Sequence, residues 1–275
     1  MRLKKNFWPK VPQDWAVTTF LWIIIPIVYW FELFVVLPVF YSIMSFWYCF
    51  HFILGTFILF NVVTNFMAII LIDTSIQGLI LPTDMLGNWR FCSVCECIAP
   101  PRSWHCPICN TCILKRDHHC IFSGCCVGHN NSRYFIIFLI YMFIATIYAT
   151  PYNICFIYNM IDISSIKSVI CLIFPLAMVF VEFTWNQFFM FLVLIIIVGS
   201  AFTGFLSYYH IHILCKGYIT PEKKMKVKIY DLGLMDNIKV VFGERWYLTW
   251  LAPFVESQVK HDGINWKEIE TQKDK

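Results

Sequence analysis

The sequence predicts an all-α polytopic membrane protein with four transmembrane helices. A cytosolic, loop-rich, two-zinc cysteine-rich domain is expected between the second and third. Three observations lead there. Of the 275 residues, 59% are hydrophobic and 14% charged, with a mean hydropathy of +0.65, which excludes both an ordinary soluble domain and a disordered chain. The apolar residues lie in blocks long enough to cross ~30 Å of hydrocarbon at about 1.5 Å per residue. Nine of the 13 cysteines fall between Cys92 and Cys126.

Residues 1–15 form a short N-terminus carrying Arg2, Lys4, Lys5 and Lys10. The first span, 16–40, is interrupted only by Glu32; it is too long for a signal-peptide core and lacks a small-residue cleavage site, so it is read as retained. The second span, 46–72, has no charge. Because positive residues favour the cytosol, the N-terminus is expected inside, and residues 73–133 return to the cytosol. The third span is 134–158 and the fourth 187–214. Between them lies an extracytosolic segment, 159–186, whose apolar run Ser168 to Val181 is short for a span and suits an interfacial helix. The tail, 215–275, opens with Lys216, Lys223, Lys224, Lys226 and Lys228 and is therefore cytosolic. This topology leaves Lys167 alone among the Lys and Arg residues on the far side. The net charge of +4 then reads as orientation and contact with the lipid bilayer, with no nucleic-acid partner.

The segment from Gly87 to Phe135 is Pro-rich, charged and dense in cysteine, which in a reducing compartment means metal or catalysis rather than disulfides. Its donors run Cys92-x2-Cys95, then His105-Cys106-x2-Cys109-x2-Cys112, then His119 and Cys126. Eight such residues make two sites of the Cys3His type, the closed arrangement of structural zinc. A loop-rich stretch of this size has almost no core in which so many thiols would otherwise be buried. Adjacent His105 and Cys106 point to opposite sides of an extended backbone, which favours interleaved over sequential pairing. The sequence shows no internal repeat and no strand pattern outside this insert.

Cys120 is left over. If His119 turns toward a metal, His118 and Cys120 both face the other way as neighbours at i and i+2. A free thiol beside an imidazole is a candidate nucleophile and base. His118, Lys115 and Arg116 would each raise the thiolate fraction of a group whose ordinary pKa is about 8.5. Asp117 would orient His118, provided the chain bends there to bring it to the same face.

At these residues the sequence resembles the DHHC protein S-acyltransferases, or palmitoyltransferases. The likeness runs through Cys-x2-Cys, Pro100-x-Arg102, His105-Cys106-x2-Cys109-x2-Cys112, Asp117-His118-His119-Cys120, Cys126, Gly128, Asn131 and Phe135. More weakly, it extends to the four-span layout, to Thr220-Pro221-Glu222, and to Tyr230-Asp231-Leu232-Gly233, Asn237 and Val241-Phe242-Gly243. Without the resemblance, the last two stretches read as helix-capping and turn chemistry.

The resemblance implies that Cys120 takes a long-chain acyl group from palmitoyl-CoA or a similar acyl-CoA and passes it to a cysteine of a membrane-associated protein, with His118 as base and Asp117 as orienter. It pairs Cys92, Cys95, His105 and Cys112 on one zinc, and Cys106, Cys109, His119 and Cys126 on the other. Lys115, Arg116, Arg102 and Arg133 are the nearest basic residues for the CoA phosphates, with attraction to anionic lipid as their alternative role. An endomembrane location, Golgi or endoplasmic reticulum, is favoured over the plasma membrane.

The chain also departs from the family pattern. Ile121-Phe122-Ser123-Gly124-Cys125 replaces the usual Pro-Trp-Val-Asn-Asn, Ile219 stands at the first threonine of Thr-Thr-x-Glu, and Ala99 precedes Pro100. A non-catalytic zinc-stabilised membrane adaptor or accessory subunit is the alternative that such a loop leaves open. Glu32 is a functional candidate, or a residue buried against another helix or at a kink near Pro26. His210 and His212 read as interfacial polar residues, and Cys97 and Cys125 as spare thiols, with acylation of either as the alternative.

Overall fold

The structure, a computed structural model, describes residues 2–81, 88–160, 170, 173–181, 183–227, 229–259 and 261–266. Four helical stretches are long and apolar enough to cross a membrane: Pro12–Phe40, Phe46–Leu71, Ser132–Met160 and Trp185–Cys215. Large apolar side chains such as Ile53, Ile147 and Phe205 stand exposed on them, a surface that suits lipid and not water.

The first of these stretches is not one regular helix. It consists of α1 (Pro12–Phe31), a π-helical turn (Glu32–Val36) and α2 (Leu37–Phe40). Pro26 lies inside α1, where its missing N–H and its ring strain the hydrogen-bond ladder; the π turn follows within two turns of helix. Glu32 opens that turn and accepts a hydrogen bond from Asn153 Nδ2 at 2.7 Å. The acid interrupting the first span is thus half-buried and hydrogen-bonded within the protein.

The chain divides into two compact units, each of which draws on all four spans. One comprises Trp22–Val62 and Leu139–Ser207 and packs around Phe31, which meets Phe156 edge-on and stacks on Phe189. The other comprises Met1–Leu21, Val63–Phe138 and Tyr208–Lys275. It holds the ends of the helices, the cysteine-rich insert and the tail.

Between α3 (Phe46–Leu71) and α4 (Ser132–Met160) the all-α expectation needs correction. The insert folds as three antiparallel hairpins of three-residue strands: β1 (Arg90–Cys92) with β2 (Cys97–Ala99), β3 (Trp104–Cys106) with β4 (Thr111–Ile113), and β5 (His118–Cys120) with β6 (Cys125–Val127). All three loops hold four residues and end in a left-handed backbone at Glu96, Asn110 and Gly124. The reading that the chain holds no internal repeat is also corrected. Cys92, Cys106 and Cys120 recur every fourteen residues, as do Cys95, Cys109 and Ser123. Strands this short lack the alternation that betrays a strand; the strand ends and the loops that follow them carry the repeat.

After the third span comes α5 (Pro175–Val181), about 10 Å long and unable to cross a membrane. Lys167 and the Ser168, Val169, Cys171 and Leu172 positions of that apolar run lie outside the described residues, as do Gly87 and Lys228. The last span is α6 (Trp185–Cys215), followed by α7 (Thr220–Met225) and α8 (Leu234–Phe242). Buried Asn237 ties the tail to the span: its Nδ2 donates to Cys215 O and to Asp231 Oδ1, and its Oδ1 accepts from Leu232 N.

Candidate functional site

The hairpin repeat sorts the donors. In each hairpin, directly opposed residues share a face, and His105 lies opposite Cys112 as His119 lies opposite Cys126. The His105/Cys112 pair meets Cys92 and Cys95 from the hairpin before it; the His119/Cys126 pair meets Cys106 and Cys109. His105 Nδ1 is 3.8 Å from Cys92 Sγ and 3.3 Å from Cys95 Sγ. His119 Nδ1 lies 3.7, 3.4 and 3.7 Å from the sulfurs of Cys106, Cys109 and Cys126. Around a tetrahedral zinc with Zn–S of about 2.3 Å and Zn–N of about 2.0 Å, neighbouring ligands would be ~3.5–3.8 Å apart. Both quartets therefore fit that ion.

Groups outside the quartets orient the donors. His119 turns its other nitrogen, Nε2, to Asp14 Oδ2 at 2.9 Å, the carboxylate–imidazole contact that fixes a ligating histidine. The Cys106 and Cys126 sulfurs near the Arg116 guanidinium favour its charged form. Asn131, fully buried, receives Gly128 N and donates to Cys126 O and Ile69 O. Gly128 is required by space: a Cβ there would come within 2.6 Å of Leu114 O and 2.7 Å of Thr74 Oγ1.

The third hairpin differs from the other two because no fourth hairpin follows to supply a His/Cys pair. Cys120 stands at the repeat position of Cys92 and Cys106, and Ser123 at that of Cys95 and Cys109. The structure thus leaves a metal-knuckle thiol without a metal partner set. The knuckle loop still closes on that residue: Ser123 donates with its backbone N–H and its hydroxyl to Cys120 O at 3.3 and 3.5 Å, whereas Cys109 N reaches Cys106 Sγ at 3.4 Å.

Asp117 lies just before β5, beyond Lys115, whose φ of +42° turns the chain. That turn is the bend needed to put Asp117 on the face of His118. His118 Nδ1 lies 2.6 Å from Asp117 Oδ2, which leaves Nε2 free to act on the Cys120 thiol two residues on. Phe135 packs edge-on against the imidazole at 5.1 Å. Burial alone would push the Asp117 carboxyl up, but the hydrogen bond and charge of His118 outweigh it and hold it at about 2. Burial likewise disfavours the His118 imidazolium, yet Asp117 and Cys120 raise it to about 9. For Cys120 burial opposes the thiolate, and the His118 hydrogen bond and charge, helped by Ser123, bring its pKa below the ordinary thiol value.

Two residues from the end of the last span and just past it complete the constellation. Thr220 N donates to Asp117 Oδ1 at 2.7 Å and Thr220 Oγ1 to Oδ2 at 3.1 Å. His210 Nδ1 is 3.9 Å from Asp117 Oδ2, so this histidine belongs beside the site, not among the interfacial polar residues where sequence reading put it. That reading also missed Asp14 and Ser123. Asp14 had a signal, an acid at the head of an apolar block; Ser123 had the fourteen-residue offset.

Of the basic residues considered for CoA phosphates, three turn inward. Arg102 pairs bidentately with Glu222, Nε to Oε1 and Nη2 to Oε2 at 2.7 Å each, and lies over the faces of the Tyr230 and Trp266 rings at 4.4 and 4.3 Å. Glu222 also receives Ile219 N, so the capping role holds alongside the ion pair. Arg133 donates to Tyr134 OH and Pro253 O. Lys115 is buried, and burial, aided by Arg102, lowers its pKa to about 7. Arg102, Lys115, Asp117, Phe135, His210 and Trp266 line a cavity of about 40 Å³ behind the Asp117–His118 pair.

A family model described as DHHC palmitoyltransferase matches residues 85–227. The chain is 32% identical over 222 residues to the protein named Probable palmitoyltransferase ZDHHC24 of Mus musculus, covering 78% of this chain and 77% of that one. Its counterpart of the same name in Danio rerio is 36% identical over 225 residues, covering 80% and 76%. Probable protein S-acyltransferase 12 of Arabidopsis thaliana is 33% identical over 175 residues, covering 61% and 54%. The chain belongs to the DHHC palmitoyltransferase family. It is an enzyme, a protein S-acyltransferase, and an integral multi-pass membrane protein. The adaptor alternative draws no support from these relatives.

Proposed function

We propose that this enzyme moves a long-chain fatty acyl group such as palmitoyl from acyl-CoA to cytosolic cysteines of membrane-associated proteins through an acyl-Cys120 intermediate. One observation carries the reading: Asp117 holds His118 two residues before Cys120, where imidazole and thiol favour each other's charged forms, on the only hairpin whose knuckle thiol has no metal partner set among the described residues.

In the first step His118 Nε2 takes the Cys120 proton, and the sulfur attacks the thioester carbonyl of acyl-CoA. The C–S bond to CoA breaks, and the imidazolium returns the proton to the departing CoA thiolate. In the second step His118 takes the proton of the substrate thiol, which attacks the acyl-Cys120 carbonyl and releases Cys120. Splitting the exchange in two makes each step a simple thiolate displacement. Asp117 keeps Nδ1 protonated and steadies the imidazolium, held itself by Thr220.

Two structural zincs are part of the proposal, Cys92, Cys95, His105 and Cys112 holding one and Cys106, Cys109, His119 and Cys126 the other. Bound zinc would clamp three hairpins too small to fold on their own core. The thiol at the membrane boundary suits an acyl chain that gains roughly 0.8 kcal/mol for each methylene buried in apolar surroundings. Cytosolic termini follow from the Lys and Arg distribution, and an endomembrane location is part of the same reading. For the CoA phosphates, burial of Arg102, Lys115 and Arg133 leaves half-buried Arg116 as the accessible member of the four.

Incubation of detergent-solubilised protein with labelled palmitoyl-CoA tests this. Hydroxylamine-labile label is expected on wild type and should vanish in Cys120→Ser, with His118→Ala reduced by at least tenfold. Wild-type protein that keeps its zinc and takes no label would overturn the intermediate.

A further inference from the structure

We propose that Cys125 is a second acyl-carrying thiol, loaded by transfer from Cys120. The inference rests on the acyl-Cys120 reading above and extends it to a residue that belongs to neither metal quartet.

Cys125 is directly opposite Cys120 in the β5–β6 register. Opposed residues of an antiparallel pair project from the same face with Cβ atoms about 4.5–5.5 Å apart. Ser123 fixes the loop between the two: its Oγ lies 3.5 Å from Cys125 Sγ and donates to the backbone carbonyl of Cys120 at 3.5 Å. Cys125 Sγ reaches Ile69 O at 3.5 Å as well, so the thiol is held in place. Each cysteine is 7% exposed. A thioester on Cys120 therefore has a fixed thiol beside it and little water.

The loop that departs from the family pattern creates this arrangement. Ser123 and Cys125 both belong to the five-residue stretch Ile121–Cys125, where the family usually carries no thiol and no hydroxyl. The change places on the nucleophile's own hairpin the functional group that the enzyme otherwise accepts from a substrate protein.

The step balances without a co-reactant. The Cys125 proton passes to His118, the Cys125 sulfur attacks the acyl-Cys120 carbonyl, a C–S bond to Cys125 forms and the C–S bond to Cys120 breaks. The Cys120 sulfur leaves as thiolate and recovers the proton. Acyl group and proton have exchanged places between two thiols. Fixed neighbours of this kind react with effective molarities of about 10⁵ M and upward, far above any protein substrate concentration. The bond made and the bond broken are both cysteine thioesters, so the acyl group is expected to divide between the sulfurs within roughly tenfold of equality. Acyl transfer to Cys125 would free Cys120 to react with a second acyl-CoA.

Full-length protein with alkyne-labelled palmitoyl-CoA, quenched in acid, with free thiols blocked before digestion and the label located by mass spectrometry, decides the matter. Label on both Cys120 and Cys125 in wild type, with the Cys125 label absent from Cys120→Ser and lagging that of Cys120 in time, is expected. Cys125→Ser should carry label on Cys120 alone, with zinc content serving as the check on folding. Label confined to Cys120 in wild type overturns the proposal while leaving the acyl-Cys120 reading intact. Cys125 labelled in Cys120→Ser overturns the transfer route, since the thiol would then load directly from acyl-CoA. No label anywhere overturns the acyl-Cys120 reading, and this inference with it.

Discussion

Thr220 grips both oxygens of Asp117, its backbone N–H on Oδ1 and its hydroxyl on Oδ2, although 103 residues separate the two. The carboxylate that orients His118 is thereby held from the segment just past the last span. Thr220→Val removes only the hydroxyl contact, a hydrogen bond to a charged group worth about 1.5–3 kcal/mol. Acyl-enzyme formation, followed in single turnover, should slow by about tenfold or more. Zinc content should not change, and a variant as fast as wild type would show the hydroxyl contact to be idle.

Arg102 and Glu222 form a bidentate pair with side chains 2% and 4% exposed. Removing one partner strands the other charge in the interior, at a cost of about 3–5 kcal/mol. Arg102→Met and Glu222→Leu should each lower the unfolding midpoint strongly in detergent. The double variant should recover most of the loss, because both charges leave together. Equal damage from single and double variants would mean that the Tyr230 and Trp266 stacking on Arg102 matters more than the ion pair.

Much of this was legible in the sequence, and the remainder was hidden for physical reasons. The spans show because lipid demands long uncharged runs, and the metal donors show because Cys-x2-Cys spacing repeats with histidine. Asp117, His118 and Cys120 are contiguous, so their neighbourhood is local. The hairpins were not legible, since three-residue strands have no room for alternation. The fourteen-residue repeat was masked where Ser123 replaces a cysteine. Asp14, His210, Thr220 and Glu222 reach their partners across about a hundred residues, and no local pattern announces such contacts.

Lys115 should impose a pH dependence on stability. Its folded pKa is about 7, against 10.5 when unperturbed, chiefly because burial disfavours the charged form, with Arg102 adding repulsion and Glu222 and Asp117 opposing it. Between about pH 7 and 10.5 the unfolded chain binds the proton that the folded one has released, so stability rises with pH across that window. Below about pH 7 the penalty is present in full. Lys115→Met removes it, and the difference in unfolding midpoint between variant and wild type should be greatest near pH 7 and shrink by pH 9. A difference independent of pH would show the lysine to be charged in both states.

Asp14 bears on the second metal quartet alone. Its carboxylate meets His119 Nε2, and losing such a contact weakens metal binding by about 10–100-fold. In chelator competition Asp14→Asn should release one zinc early and keep the other at the wild-type level. Simultaneous weakening of both would mean that the hairpins unfold as one body.

The repeat also makes a prediction about the nucleophile itself. Ser123 occupies the second knuckle position, so Ser123→Cys rebuilds Cys-x2-Cys at 120 and 123 and adds a thiol where Cys120 and Cys125 already stand. The site would then offer three sulfurs with His118 nearby, a donor set of the kind thiophilic ions prefer. Cadmium or zinc should inhibit acyl-enzyme formation by Ser123→Cys at concentrations at least tenfold below those needed for wild type, and a chelator should reverse the inhibition. Metal bound there would also protect Cys120 from alkylation. Equal sensitivity in the two proteins would mean that the third hairpin, for all its matching loop, does not hold its thiols in knuckle geometry. The same result would remove the account of Cys120 as a metal-site thiol released for catalysis by the lack of a fourth hairpin.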